Sequence, residues 1–151
     1  AIRERLRIYF LGRMPSKEEA FIEECGVEDV ICRVGCVPQA ECMSYYQKAD
    51  ILLAIDVNDR RGCYFPSKLL DYFWYRKPIL GLTHAGSVMH RELTASKHVS
   101  LDFEDYPGVA NYMQRALDNY DSLMDFDHDY WKHFTASSVA GQYLSIIQKM
   151  L

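Results

Sequence analysis

Residues 54–82 read A-I-D-V-N-D-R-R-G-C-Y-F-P-S-K-L-L-D-Y-F-W-Y-R-K-P-I-L-G-L. An apolar strand end passes into a polar loop, Pro66 opens a helix, and Pro78 to Leu82 begins the next apolar run. The first N–H groups of a helix have no partner within it and the helix dipole is positive there, so an anion is the natural guest. Pro66 suits the first helical position, where no N–H is needed. Phe65 to Lys68 thus form an anion-ready helix start, with the Ser67 hydroxyl and the Lys68 ammonium beside it. Asp71 stands three and four positions further on, which puts it on the face shared by Ser67 and Lys68. A carboxylate one turn from a phosphate-holding helix start is placed to accept hydrogen bonds from ribose hydroxyls. The same residues also read as an ordinary helix start with a solvated lysine and an intrahelical Lys68–Asp71 pair. Leu69, Leu70, Phe73 and Trp74 are expected to form the opposing stripe toward the core.

Outward from this stretch, strands and helices alternate. Leu6 to Leu11 is an apolar run ended by Gly12, so the chain is expected to enter a strand almost at once. Ser16 and Glu19 have the capping-box spacing for a helix from about Lys17 to Cys25, stopped by Gly26. Val30 to Val34 is a second β-rich run. Val37-Pro38-Gln39 opens a helix in which Ala40, Met43, Tyr46 and Ala49 recur at helical spacing. Ile51 to Ile55 is apolar on both faces, the pattern of a strand central in a parallel sheet. Beyond Leu82 come a T-H-A-G-S loop, a short helix near Val88 to Leu93, a short strand near His98 to Leu101, a helix from the Asp102–Pro107 region to about Leu123, and a last helix over Ser137 to Leu151. This order predicts one α/β domain: an open, mostly parallel Rossmann-like sheet with helices on both faces and right-handed crossovers. Ligands of such sheets sit outside the carboxyl ends of the strands. That rule selects Gly12-Arg13, Gly35 to Pro38, Asp56 to Lys68 and Thr83 to Ser87.

Composition narrows the function classes. The chain has 151 residues, 49% hydrophobic, with a net charge of −4, which lacks the basic stripe of a nucleic-acid binder and leaves a single bound nucleotide open. Its five cysteines, Cys25, Cys32, Cys36, Cys42 and Cys63, are odd in number and form no C-x-x-C pair. A disulfide framework and a zinc site are therefore not expected, and a reducing cytoplasmic setting is. No run is long enough to span a membrane, and no signal-peptide pattern is present.

Among the other loops, Gly35-Cys36-Val37-Pro38 offers backbone for the edge of a base, or merely turns the chain. Gly86 and Ser87 precede a helix and form a second candidate anion or sugar contact. His84 is a possible base, although a lone loop histidine is more often simply solvated. Asp59, Arg60 and Arg61 read as a solvated charge run from which one arginine reaches a diphosphate in the alternative reading. No Ser-His-Asp or Cys-His set is spaced for a nucleophile, and the G-x-G-x-x-G and G-x-x-x-x-G-K-[ST] loops are absent.

The succession L-R-I-Y-F-L-G, G-V-E-D-V-I-C-R-V-G-C-V-P, A-D-I-L-L-A-I, F-P-S-K-L-L-D-Y-F-W-Y-R-K-P-I-L-G-L and H-A-G-S resembles the C-terminal, donor-nucleotide domain of retaining GT-B glycosyltransferases of the group 1, family 4-like kind, most of all the branch acting on surface polysaccharides. The resemblance runs from Leu6 to about Leu117. It implies transfer of a sugar from a nucleoside diphosphate sugar, of UDP or GDP type, to a saccharide or lipid-linked acceptor, with no further cofactor and no metal. By that similarity Val37 and its neighbouring backbone hold the base, Phe65, Pro66, Ser67 and Lys68 the diphosphate and Asp71 the ribose, while Gly86 and Ser87 lie near the donor. The family often carries two glutamates separated by seven residues; here the second position is Asp71 and the first is Cys63. The family's phosphate-binding Arg and Lys belong to a strand-helix unit that would precede Ala1, and its acceptor domain lies further upstream. On this reading the chain is an excised donor half, inactive alone, from a protein that is cytoplasmic or peripheral at the inner membrane face. A non-catalytic nucleotide-binding or interaction module and a GT-B-like nucleotide-sugar epimerase are the alternatives that the same fold admits.

Overall fold

A computed structural model describes residues 2–59 and 62–150. Arg60 and Arg61 of the charge run lie outside the described residues. The elements in order are α1 (Ile2–Arg5), β1 (Ile8–Leu11), α2 (Ser16–Glu24), β2 (Ile31–Gly35), α3 (Gln39–Lys48), β3 (Leu52–Ile55), α4 (Lys68–Tyr75), β4 (Ile79–Leu82), α5 (Val88–Ala95), β5 (Val99–Leu101), α6 (Tyr106–Asp118) and α7 (Ala136–Met150), with 3-10 turns at Tyr120–Leu123 and Tyr130–Phe134. The chain thus begins in a short helix rather than running straight into a strand.

Every strand pairing is parallel, as the alternating pattern predicts, but the strands form two sheets instead of one. β1 pairs with β2, and β3, β4 and β5 form the other sheet in that order. The expectation that 51–55 would be central is therefore corrected: among the described residues β3 stands at the edge of its sheet and is bonded to β4 alone.

The core belongs to the three-stranded sheet. On one face Leu52, Ala54 and Ile79 meet Leu69, Tyr72 and Phe73 of α4 with Met89 and Leu93 of α5. On the other, Leu80 meets Tyr112 of α6 and Leu123, with Leu53, Leu82 and Val99 packed around them. Leu69, Leu80, Met89 and Leu93 have no solvent exposure, and burying each such side chain is worth about 1.5–3 kcal/mol. Helices on both faces of a parallel sheet follow from strands that are apolar on both sides.

Local readings fare unevenly. The Ser16–Glu19 capping box does not form: Pro15 occupies the cap position of α2 without a side-chain bond, and Glu19 lies 3.5 Å from Arg33 on β2. On α4 the buried set is Leu69, Tyr72 and Phe73. Leu70 is 40% exposed and Trp74 62% exposed, because residues 69, 72 and 73 already fill the core face at helical spacing. Trp74 instead meets Trp131 edge to face, with ring centroids 4.7 Å apart. The helix expected to reach Leu123 stops at Asp118, and the 3-10 turn completes the run. Lys77 donates to the carbonyls of Gln47 and Ala49, closing the C-terminal end of α3 against the α4–β4 turn.

Gly81 sits mid-strand in β4, where a Cβ would lie 2.1 Å from Leu93 Cδ1 and 3.2 Å from Met89 Cε. Gly81→Ala is expected to lower unfolding stability by about 1–3 kcal/mol, the range for overpacking a filled core, as read by urea denaturation.

His98 is buried, with Phe126 4.4 Å away and Phe73 stacked on it at 5.8 Å. Its Nδ1 accepts from the Ile79 N–H at 3.3 Å. Burial, with a smaller contribution from His128, lowers its pKa from 6.5 to about 4. The unfolded chain therefore takes up a proton that the folded chain refuses between those values, so this group costs stability as pH falls from 6.5 to about 4. The full loss is on the order of 3 kcal/mol and almost all of it falls below pH 7. Denaturation midpoints of the native chain and His98→Gln, compared at pH 7 and pH 5, are expected to show the smaller pH dependence in the variant.

Candidate functional site

The segments chosen by the carboxyl-edge rule do lie at the ends of their strands. Gly35 to Pro38 follows β2, Asp56 to Lys68 follows β3, and Thr83 to Ser87 follows β4. Two of these loops are locked together. Gly62, at a φ of +40, accepts from the Val88 N–H at 2.9 Å through its carbonyl and donates to the Asp59 carbonyl at 3.0 Å. A Cβ at Gly62 would fall 2.5 Å from Ser87 Cβ and 2.8 Å from Ser87 Cα. The β3–α4 loop can reach the β4–α5 loop this closely because residue 62 has no side chain.

Below this contact runs a chain of hydroxyls. Thr83 Oγ1 donates to Asp56 Oδ2 at 2.7 Å and lies 2.7 Å from Ser87 Oγ, and Ser87 Oγ accepts from the His90 N–H at 2.9 Å, capping α5. Ser87 is 2% exposed. Its hydroxyl is spent on the fold, so of the expected Gly86–Ser87 pair it is Gly86, exposed and with open space around it, that faces outward. His84 is not a solvated loop histidine. Its Nδ1 lies 3.0 Å from Asp102 Oδ2, its Nε2 lies 2.7 Å from Asn58 Oδ1, and its ring meets Phe103 at 5.1 Å. It ties the ends of β3, β4 and β5 to one another, a role that no sequence spacing signals, since its partners come from 26 and 18 residues away.

The helix start opens beside these loops. Leu69 N–H bonds the Pro66 carbonyl at 2.9 Å and Leu70 N–H the Ser67 carbonyl at 3.1 Å, a tight first turn that leaves the N–H groups of Ser67 and Lys68 without acceptors among the described residues. Ser67, Lys68 and Asp71 are all exposed. Lys68 and Asp71 form no ion pair with each other, so the intrahelical alternative is not realised. Phe65, partly buried, packs its ring 5.4 Å from that of Phe134.

Asp71 also looks toward α3. Tyr72 is pushed up to about 12, first by burial, then by Cys42, and further by the Asp71 charge. Tyr46 is pushed up by burial, by a hydrogen bond with Cys42, and less by Tyr72 and Asp71. Asp71, Cys42 and two tyrosine hydroxyls therefore share one neighbourhood on the α3–α4 seam, where Tyr46 and Tyr72 meet edge to face at 5.2 Å. Val37, half-buried, stands just before the N-terminal end of α3. No hydrogen bond or ring contact joins it to residues 65–71 among the described residues. Cys63 is exposed. No group of three or more metal-ligating side chains occurs among the described residues. A cavity of about 170 Å³, lined by Pro78, His98, Tyr112, Arg115 and Asp125 among others, lies at the opposite, amino-terminal end of the strands and is separate from this site.

The chain is an α/β, Rossmann-like fold of parallel strands with helices on both faces, and solved structures share that fold. The chain is similar to the crystal structure of Anabaena Alr3699/HepE in complex with UDP, with a TM-score of 0.63 and 9% identity over 97% of this chain and 41% of that one. It is also similar to the GtfA/B complex, with a TM-score of 0.61 and 15% identity over 95% of this chain and 29% of that one. The chain thus spans less than half of each neighbour. No family model and no curated protein matches it. No helix among the described residues is long and apolar enough to cross a membrane.

Gly62→Ala is expected to force the two loops apart, since the obstructing Ser87 Cα is backbone and cannot rotate away. Its amide spectrum should shift throughout residues 83–88 while β5 and α6 keep their shifts.

Proposed function

We propose that this chain is the donor-binding half of a glycosyltransferase, which holds the nucleoside diphosphate of a UDP- or GDP-type sugar donor at the start of α4. The observation that carries the reading is the exposed turn in which two N–H groups without acceptors among the described residues, the Ser67 hydroxyl and the Lys68 ammonium stand one helical turn from Asp71. In the reaction the bond between the sugar's anomeric carbon and the distal phosphate oxygen breaks, a bond to an acceptor hydroxyl forms, and that hydroxyl loses its proton. The negative charge that grows on the departing diphosphate is what a helix start and a lysine stabilise. Asp71 accepts from the ribose hydroxyls and the backbone around Val37 meets the base. The resemblance to a UDP-bound structure supports a nucleotide guest. A saccharide or lipid-linked acceptor is bound by polypeptide beyond these residues, so the chain alone binds donor without transferring its sugar.

The test is an amide titration with UDP, GDP and UDP-glucose at up to millimolar concentration. Shifts are expected at Phe65 to Asp71 and around Gly86. Lys68→Ala and Asp71→Asn are each expected to weaken binding about tenfold, the worth of one hydrogen bond to a charged group. Saturating nucleotide with no shift at residues 65–71 would overturn the assignment.

A further inference from the structure

Where β4 and β5 begin, two polar side chains of the core, His98 and Tyr112, line the cavity of about 170 Å³. His98 is 9% exposed and Tyr112 5% exposed. His98 Nδ1 accepts from the Ile79 N–H, so the neutral ring carries its proton on Nε2, which is left as a donor. Phe73 and Phe126 pack against the ring, and nothing among the described residues bonds that nitrogen. The Tyr112 hydroxyl likewise has no hydrogen-bond partner among the described residues. Yet no side-chain nitrogen or oxygen among them is both sealed from solvent and unbonded. Both atoms are therefore reached from outside, and the opening that their two side chains share is this cavity. Polar groups so deeply placed are ordinarily bonded to protein, water or a guest.

The mouth of the same cavity carries charge. Lys97, Arg115 and Asp125 line it and are exposed, and none of the three forms an ion pair among the described residues. Arg115 is held over the Tyr112 ring with its Cζ 5.6 Å from the centroid. Burial pushes the Tyr112 hydroxyl up to about 12, against a smaller opposite pull from the Arg115 charge, so that hydroxyl keeps its proton and stays a donor. Lys97 follows the end of α5 at a φ of +61, a left-handed position that glycine usually fills. Donors on four side chains, two of them cationic, thus line one space with a single carboxylate among them.

We propose that this cavity binds a small phosphate monoester that also bears a hydroxyl group. The phosphate oxygens accept from His98 Nε2, the Tyr112 hydroxyl, Lys97 and Arg115, and the hydroxyl of the guest donates to Asp125. Arginine and lysine are regular partners of phosphate, whereas a cation or an apolar guest would leave the buried donors unmet. At about 170 Å³ the cavity is smaller than the roughly 300–1,000 Å³ of sites for drug-sized ligands. That size selects a guest of a few carbon atoms and excludes a nucleoside diphosphate. The cavity lies at the other end of the strands from the α4 helix start, so the proposal does not rest on the nucleotide reading.

The test is an amide titration of the chain with glycerol 3-phosphate, compared with inorganic phosphate and with glycerol at constant ionic strength. Saturable shifts are expected at residues 97–99, 112–115 and 122–125 with glycerol 3-phosphate, weaker ones with inorganic phosphate and none with glycerol. Arg115→Gln and Lys97→Gln are each expected to weaken binding about tenfold, the worth of one hydrogen bond to a charged group. Tyr112→Phe removes an oxygen without a protein partner, so it should weaken binding about fivefold and leave the urea midpoint unchanged. The lack of saturable shifts at these residues in tens of millimolar glycerol 3-phosphate would overturn the proposal, as would shifts at residues 65–71 in their place. Binding that survives both Arg115→Gln and Lys97→Gln would mean an adventitious ion only and would overturn it too. A lowered midpoint with unaltered binding in Lys97→Gln and Tyr112→Phe would overturn it by giving those groups to the fold.

Discussion

A parallel strand bonds to its neighbours and must be covered on both faces, and β4 is where this chain meets both demands. It lies between β3 and β5 with Ile79 turned to α4 and α5 and Leu80 turned to α6. Gly81 lets Leu93 come down onto the strand itself. Everything at the carboxyl edge is positioned from here. Thr83, the first residue beyond β4, is 1% exposed and fixes both Asp56 and Ser87 through one hydroxyl. The loops that would face a ligand are thus set by a buried hydroxyl chain one residue from the most buried strand.

Much of this was legible from residue pattern. Strands and helices fall near their expected places because the apolar runs and their glycine and proline boundaries are local signals. The helix start near Phe65 to Lys68 was legible for the same reason, although the helix begins at Lys68 with Ser67 as its cap, so that Pro66 stands just ahead of it and not at the first helical position. What escaped depends on distant partners. His84 reads as solvated until Asn58 and Asp102 are brought to its two ring nitrogens. Ser87 reads as a ligand contact until Thr83 and the start of α5 claim its hydroxyl. The capping box at Ser16 does not form because Pro15 takes the cap position and Ser16 is already the first helical residue, while Glu19 lies beside Arg33 on another element. Trp74 lies outside the buried stripe, which residues 69, 72 and 73 fill, and meets the ring of Trp131, far along the chain.

The division into two sheets carries a lesson about reading strands. Ile51 to Ile55 has the composition of a central strand, and among the described residues it pairs on one side only. Composition records the environment in which a segment is stable, whereas pairing records the neighbours present. At β3 the two disagree: Ile55 is 51% exposed, Leu53 is partly buried, and Leu52 and Ala54, which face α4, are buried to 5% or less. Asp71 sits on the seam beside that same edge, close enough for its charge to bear on Tyr46 and Tyr72.

The aromatic ladder at the far end has a mechanical consequence. Phe126, His98, Phe73 and Phe134 stand ring against ring, with centroids 4.4, 5.8 and 5.8 Å apart, and Phe134 lies two residues before α7 begins. That helix has 15 residues and none is buried, so at 1.5 Å per residue its tip stands about 22 Å from its root. Its root is set in the core while its shaft is free, the condition of a cantilever. A force applied at Met150 would therefore act as a torque on Phe73, and so on the same α4 whose first turn carries Lys68.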